Sequence, residues 1–255
     1  MQKKFLLEFV KRDLTERYVG SILGIWWSFL WPLVNIFIYM VIFSKVMGAK
    51  IRFLPYAYSY GLYLASGLIA WTAFSNTVLR STTVLLEKKH ILTKISLPLW
   101  FFPLSIALSE SVTFFISLFI YFCVLLLMKI PLSFSVLLVP IAYLMQFIFA
   151  YSLGLFLSIL NVFLRDIKEV VNILMQFWFW FTPIVYVVQI LPEKVCFFIE
   201  LNPVYAFIQV YQKVFVTKEP IKFTLFFFWM AFCLLFFFFS HYFCRKLEKD
   251  VRDFL

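Results

Sequence analysis

Glu110 is the one acid inside a long apolar run. A carboxyl group at membrane depth is costly and ordinarily faces a polar cavity or a partner. Glu110 is thus either a functional acid or a protonated, hydrogen-bonded packing residue. A proton relay would need several such groups, and only this one exists. His90 and His241 sit at the edges of apolar runs, and neither has neighbours at metal-ligand spacing. The four cysteines (Cys123, Cys196, Cys233, Cys244) have no CxxC spacing, so no disulfide framework or zinc site is indicated. The six glycines exclude a phosphate loop of the GxxxxGK[ST] type. Neither a GxSxG elbow nor an HExxH motif occurs. Catalysis by this chain is not expected.

Aromatic rings are the other candidate groups. Trp27, Trp31, Tyr39 and Phe43 fall in one apolar run; Trp178, Trp180 and Tyr186 fall in another. Rings with a flat apolar face and a polar tip suit interfacial belts, helix contacts and stacking on sugars alike. Asn35, Asn172, Gln176 and Thr182 in the same runs could partner hydroxyl-rich cargo, so these rings are candidates to line a passage.

The elements that must position these residues follow from composition. Of 255 residues, 64% are hydrophobic, 22% aromatic and only 14% charged, with a net charge of +10. Soluble domains carry about 45–50% apolar and about 25% charged residues, so an all-α integral membrane protein is expected. The basic residues are not gathered on one soluble face, which argues against nucleic acid as a partner. Crossing a hydrocarbon core of about 30 Å takes about 20 apolar residues. Six stretches qualify, near Ile25–Met47, Tyr58–Leu79, Leu99–Leu127, Ser135–Leu160, Val170–Val188 and Phe223–Phe243. Pro192 and Asn202-Pro203 cut the region about 190–217 into short pieces that read as re-entrant outer helices.

Placing both termini on one side puts fifteen Lys and Arg there and eight opposite, out of 23. The excess marks the cytoplasmic side. Acids at Glu8, Asp13 and Glu16, with no small-residue cleavage site after them, argue against a cleavable signal peptide.

Residues 1–24 form the first unit, an amphipathic cytoplasmic interface helix followed by a turn. Phe5, Leu6, Phe9, Val10 and Leu14 share one side; Lys4, Glu8, Lys11 and Arg12 share the other. Asp13 and Arg17 fall on the apolar side four residues apart, at pairing distance. Such a helix is either a plain membrane anchor or part of a lateral entrance for an anionic lipid-linked cargo. Gly20 and Gly24 favour a turn where the chain changes from in-plane to spanning. Residues 25–255 form the second unit. Within it, about 82–93, centred on Glu87, Lys88, Lys89 and His90, reads as a short amphipathic helix: either a solvated connector or a docking element for a soluble partner. Leu164-Arg165-Asp166-Ile167-Lys168 is a charged turn.

The run from Arg12 through Trp26-Trp27 to Pro32 resembles the start of the type-2 ABC exporter permeases for polysaccharides. Phe163-Leu164-Arg165-Asp166, Thr182-Pro183 and Leu201-Asn202-Pro203 continue the resemblance in order along the chain. It implies a homodimeric permease in the bacterial cytoplasmic membrane, bound to two copies of a separate ATP-binding subunit. ATP and magnesium would be held there and not on this chain. The cargo it implies is a lipid-linked polysaccharide of O-antigen type, with teichoic-acid or capsular polymers as alternatives. Under it, Glu87, Lys88, Lys89 and His90 become an ATPase-coupling element and the outer helices a cap near the exit. Lys11, Arg12, Arg17 and Tyr18 are candidates for meeting a cargo phosphate, since guanidinium matches phosphate oxygens bidentately. From another class, a membrane-embedded transferase acting on lipid-linked sugars would need a catalytic acid or histidine near the interface, and Glu110 with His90 is a poor pair for it.

Overall fold

The computed structural model describes residues 2–17, 19–46, 51, 58–92, 94, 97–131 and 133–254. Tyr18, Met47 at the end of the first expected span, and the loop residues Lys50 and Arg52 lie outside the described residues. Among the described residues the fold is all helical. Helix α1 (Gln2–Glu16) is followed by a 3-10 turn (Gly24–Trp26) and α2 (Trp27–Ile38), which widens into a π-helix over Tyr39–Val46. Then come α3 (Ser59–Glu87), the single turn α4 (Lys89–Leu92), α5 (Phe101–Leu127) and α6 (Val139–Phe163). The chain continues with α7 (Ile167–Phe181), α8 (Glu193–Glu200), α9 (Pro203–Gln212), a π-turn over Lys213–Thr217, and α10 (Phe223–Phe254).

Among the described residues, four helices are long and apolar enough to cross a membrane: Ser59–Glu87, Phe101–Leu127, Phe134–Phe163 and Phe223–Phe254. The other two expected spans differ. Residues 27–46 are helical but carry Pro32 and change from α to π winding at Tyr39. The fifth stretch forms a helix of only 15 residues, about 22 Å at 1.5 Å per residue, short of the hydrocarbon thickness. It stops at Phe181 because Pro183 forces the preceding residue out of the helical region, and Thr182 adopts φ −102°, ψ 125°. The expected separate helix around 82–93 is also redrawn. Helix α3 runs unbroken to Glu87, eight residues past the expected end of that span at Leu79, and only α4 follows it.

Helix α3 is the axis of the fold, with α5, α6 and α9 packed around it and α10 on the far side of α6. Close approach at the α3–α6 crossing needs Gly154, since a Cβ there would lie 2.5 Å from the Ser81 Cβ. Gly20 and Gly24 take φ of +82° and +51°, the left-handed conformation that turns the chain between α1 and α2. Two hydrophobic cores result. The larger is built on Phe74, Phe114, Tyr121, Phe149, Phe207 and Tyr211. The smaller gathers Val84, Leu85, Leu92, Phe101, Phe102, Cys244 and Val251 at the other end of α3.

A charged ring beneath a polar cavity

Asp13 and Arg17 stand one helical turn apart at the end of α1, and their side chains pair at 3.1 Å. Neither is left to that pair alone. Arg17 Nη2 donates to Glu110 Oε1 of α5 at 2.7 Å, and Arg80 Nη1 of α3 donates to the same oxygen at 2.6 Å. Arg80 Nη2 closes the ring by donating to Asp13 Oδ1 at 2.5 Å. Two carboxylates and two guanidiniums thus alternate, and their formal charges cancel. Glu110 is only 2% exposed. Burying a lone carboxylate there would cost several kcal/mol, so two charge-assisted donors are what makes its position tenable. Burial pushes the Asp13 carboxyl up, but hydrogen bonding and charge from Arg80, with Arg17 behind it, hold it below the ordinary carboxylate value.

Glu16, between Asp13 and Arg17 in the chain, ties α1 to the end of α3. It accepts from Arg12 Nε at 2.5 Å and lies 3.5 Å from Lys88 Nζ, and these contacts keep its carboxyl low. Apolar contacts reinforce this tie. Phe9 meets Phe101 and Phe102 edge to face at 5.4 and 5.9 Å, and Leu6 packs on the smaller core. That core also holds Val84, Leu85 and Leu92, which flank the expected coupling residues. Of these, Glu87, Lys89 and His90 are exposed and Lys88 is half-buried. Arg252 joins from α10, donating to the Leu97 carbonyl at 2.5 Å. The entrance candidates divide likewise: Lys11 and Arg12 are exposed, whereas Arg17 is engaged in the ring.

Above the ring, α2, α3 and α5 enclose a cavity of about 210 Å³. Trp27, Trp31 and Tyr39 line it beside Asn35, Thr72, Asn76 and Ser117. Thr113 belongs to both places, lining the cavity while its Oγ1 lies 3.5 Å from Arg17 Nη1. Trp27 and Trp31 stand 6.3 Å apart, and Trp27 Nε1 donates to Ser21 Oγ at 2.8 Å. Trp178 and Tyr186 lie elsewhere, in an apolar groove of about 790 Å³ walled by α6, α7 and α8. The expected aromatic set is therefore two sets with different surroundings, one polar and one hydrocarbon-like. Phe43 packs on Tyr60 at 5.9 Å and Trp180 is largely exposed, and neither lines these two cavities.

Trp178 also anchors the break after α7. Its Nε1 donates to Asn202 Oδ1 at 2.9 Å, while Asn202 Nδ2 donates to Thr182 Oγ1 at 2.9 Å. The same Asn202 oxygen caps α9 by accepting from the Val204 N–H at 3.0 Å. Thr182-Pro183 and Asn202-Pro203, separated by 20 residues in sequence, form one joint.

Residues 6–216 match the ABC-2 type transporter family, the membrane component of ABC transporters. The chain belongs to that family. Two relatives resemble it over 212 residues: the O-antigen export system permease protein RfbA of Myxococcus xanthus, at 28% identity, and that of Klebsiella pneumoniae, at 30%. The alignments cover 82% and 83% of this chain and 79% and 80% of the relatives. The ABC-2 region spans α1 through the π-turn after α9, so the ring, the polar cavity and the Asn202 joint all lie within it. As an ABC-2 membrane component the chain is a transport subunit.

Arg80 is the member of the ring that the sequence reading did not single out, and Thr72, Asn76, Thr113 and Ser117 of the cavity were not singled out either. Ending its span at Leu79 placed Arg80 in the connector and made it one more cytoplasmic charge. The available signal was a lone acid in one membrane-length run and a lone arginine near the end of another, each needing a partner of opposite sign.

Proposed function

We propose that this chain is the permease subunit of an ATP-driven exporter that moves lipid-linked polysaccharide of O-antigen type across the bacterial cytoplasmic membrane. It works as a homodimer bound to two ATP-binding subunits. Both termini face the cytoplasm, six segments cross the bilayer, the fifth completing its crossing through the non-helical chain after Phe181, and α1 lies in the cytoplasmic interface. The observation that carries the cargo class is the likeness along 212 residues to proteins named as O-antigen export permeases. The basic bias of the α1, α4 and α10 ends supports the orientation.

The geometry supports a route for force. A partner pressing on Glu87, Lys88, Lys89 and His90 moves the end of α3, and with it the smaller core, α1 and the ring. Helix α5 follows through Glu110, and the cavity of Trp27, Trp31 and Tyr39 sits directly above. Lys11 and Arg12, exposed on α1, are the cations for a cargo phosphate, with Arg17 holding α1 in place behind them. The polar cavity suits sugar hydroxyls, and the apolar groove at Trp178 and Tyr186 suits hydrocarbon, either of the lipid anchor or of the second copy.

Co-purification with an ABC ATP-binding subunit from the same organism, followed by polymer export in reconstituted vesicles, tests this reading. The expected result is a stable complex whose ATP hydrolysis drives export. Export without ATP, or sugar transfer by the isolated chain, would overturn it.

A further inference from the structure

A second polar cavity, of about 360 Å³, lies at the opposite end of α3 from the charged ring. Tyr63 in its wall is 17 residues before Arg80, about 25 Å away along the helix. The chain after α7, together with α8, α9 and the π-turn, closes over it. Its volume falls within the range of about 300–1,000 Å³ common for small-ligand sites.

The lining is unusual for a membrane helix bundle. Gln209 is 3% exposed, and among the described residues its Nε2 has no hydrogen-bond partner; the Thr217 hydroxyl is likewise buried and unpartnered among them. Leaving a buried donor unsatisfied is costly, so a native site that keeps one calls for an acceptor. The charged groups are already balanced: Glu200 pairs with Lys222, and Gln189 Nε2 donates to Glu219 Oε1 at 2.6 Å. Lys213 Nζ is satisfied by the Pro220 carbonyl at 3.2 Å, and burial draws its ammonium below the ordinary lysine range against the pull of Glu219. Two acids and two lysines leave no net charge. A formally neutral pocket with amide and hydroxyl groups to satisfy, carboxylates at the rim and the rings of Tyr63 and Tyr205 in its wall does not select an anion or a metal. Its chemistry fits a neutral molecule rich in hydroxyls.

The geometry points to a binding site for a neutral sugar residue in this cavity, with Gln209 as its central hydrogen-bonding group. This rests on the glycan-export reading and adds to it a contact for the polymer on the side opposite the ATP-binding subunits. Held there, an emerging sugar would satisfy the Gln209 and Thr217 side chains before the next residue replaces it.

Saturation-transfer NMR on the full chain in lipid nanodiscs tests the site, using methyl α-mannoside, methyl β-galactoside, methyl α-rhamnoside and methyl β-glucuronide. Transfer to at least one neutral glycoside is expected, weaker to the charged glucuronide, and at least tenfold weaker in Gln209→Leu. Thr217→Val, nearly isosteric, gives a second variant if Gln209→Leu does not fold, and it should show the same loss. Absence of transfer to all three neutral glycosides, or transfer unchanged in the folded variants, overturns the site. Polymer export by the wild-type complex, run beside it, separates the two readings. Export without glycoside binding removes the pocket and leaves the exporter; glycoside binding that depends on Gln209, without export, leaves the pocket and removes the exporter.

Discussion

Arg80 Nη1 donates to Glu110 Oε1 at 2.6 Å, joining two helices whose charged residues are 30 positions apart in sequence. Because Glu110 is buried and Arg80 about one-third exposed, the pair sits between the dry and solvated limits. Removing one partner from a buried pair typically costs about 3–5 kcal/mol, and solvent access to the arginine reduces this to about 1–3 kcal/mol.

Glu110→Met should therefore lower thermal stability in detergent by that amount, since Arg17 and Arg80 lose a shared acceptor. Arg80→Met combined with Glu110→Met should cost less than the sum of the single changes. Additive losses in the double mutant would show that the two side chains do not act as a pair.

The Asp13 carboxyl titrates below its ordinary value of 3.8 when folded. A depressed folded pKa adds stability that is fully present above the unfolded value and is lost as pH falls through the folded one. The stability gap between wild type and Asp13→Asn should thus be constant from pH 7 down to about 5 and shrink below about 4. Unfolding midpoints at stepped pH, compared between the two proteins, measure it. A gap that widens on acidification would reverse the assigned sign.

Arg12 and Arg17 should separate when each is changed to glutamine. The exposed Arg12–Glu16 pair contributes about 0–1 kcal/mol, so Arg12→Gln should leave the unfolding midpoint nearly unmoved while export falls. Arg17→Gln removes a donor from buried Glu110 and should lower the midpoint by several degrees. Equal stability in the two variants would place Arg17 outside the ring's energetics.

Asn202→Ala removes an N-cap and leaves the Trp178 N–H without its partner, while the Thr182 hydroxyl keeps its own bond to the Trp178 carbonyl. A cap alone is worth about 1 kcal/mol and the stranded Trp178 N–H adds to it, so a loss of about 2 kcal/mol is expected. Hydrogen exchange at α8 and α9 should rise before that of α3. Uniform exchange across the chain would mean that Asn202 holds no local joint.

The four long helices were legible because continuous hydrophobicity and bilayer thickness constrain length directly. The start of α5 falls within two residues of its expected position, and Pro192 and Asn202-Pro203 delimit α8 and α9 as expected. Helix ends at Glu87 and Phe254 were not legible, because a helix continues beyond the bilayer wherever packing and ion pairs replace lipid, and hydropathy is silent there. The Asp13–Arg17 pair could be read because its spacing is local. The closing contacts from Arg80 and Glu110 could not, since they depend on how α1 crosses α3 and α5. The division of the aromatics has the same origin: periodicity places a ring on a helix but not beside a particular neighbour.

The Pro183 carbonyl accepts from the Tyr63 hydroxyl at 3.2 Å and from Gln212 Nε2 at 2.9 Å. A proline break in a helix is often taken for a hinge, but this one is clamped from two directions. Tyr63 belongs to α3 and Gln212 to α9, so any movement at this break is felt by both helices at once, as a lever moves with its fulcrum plate.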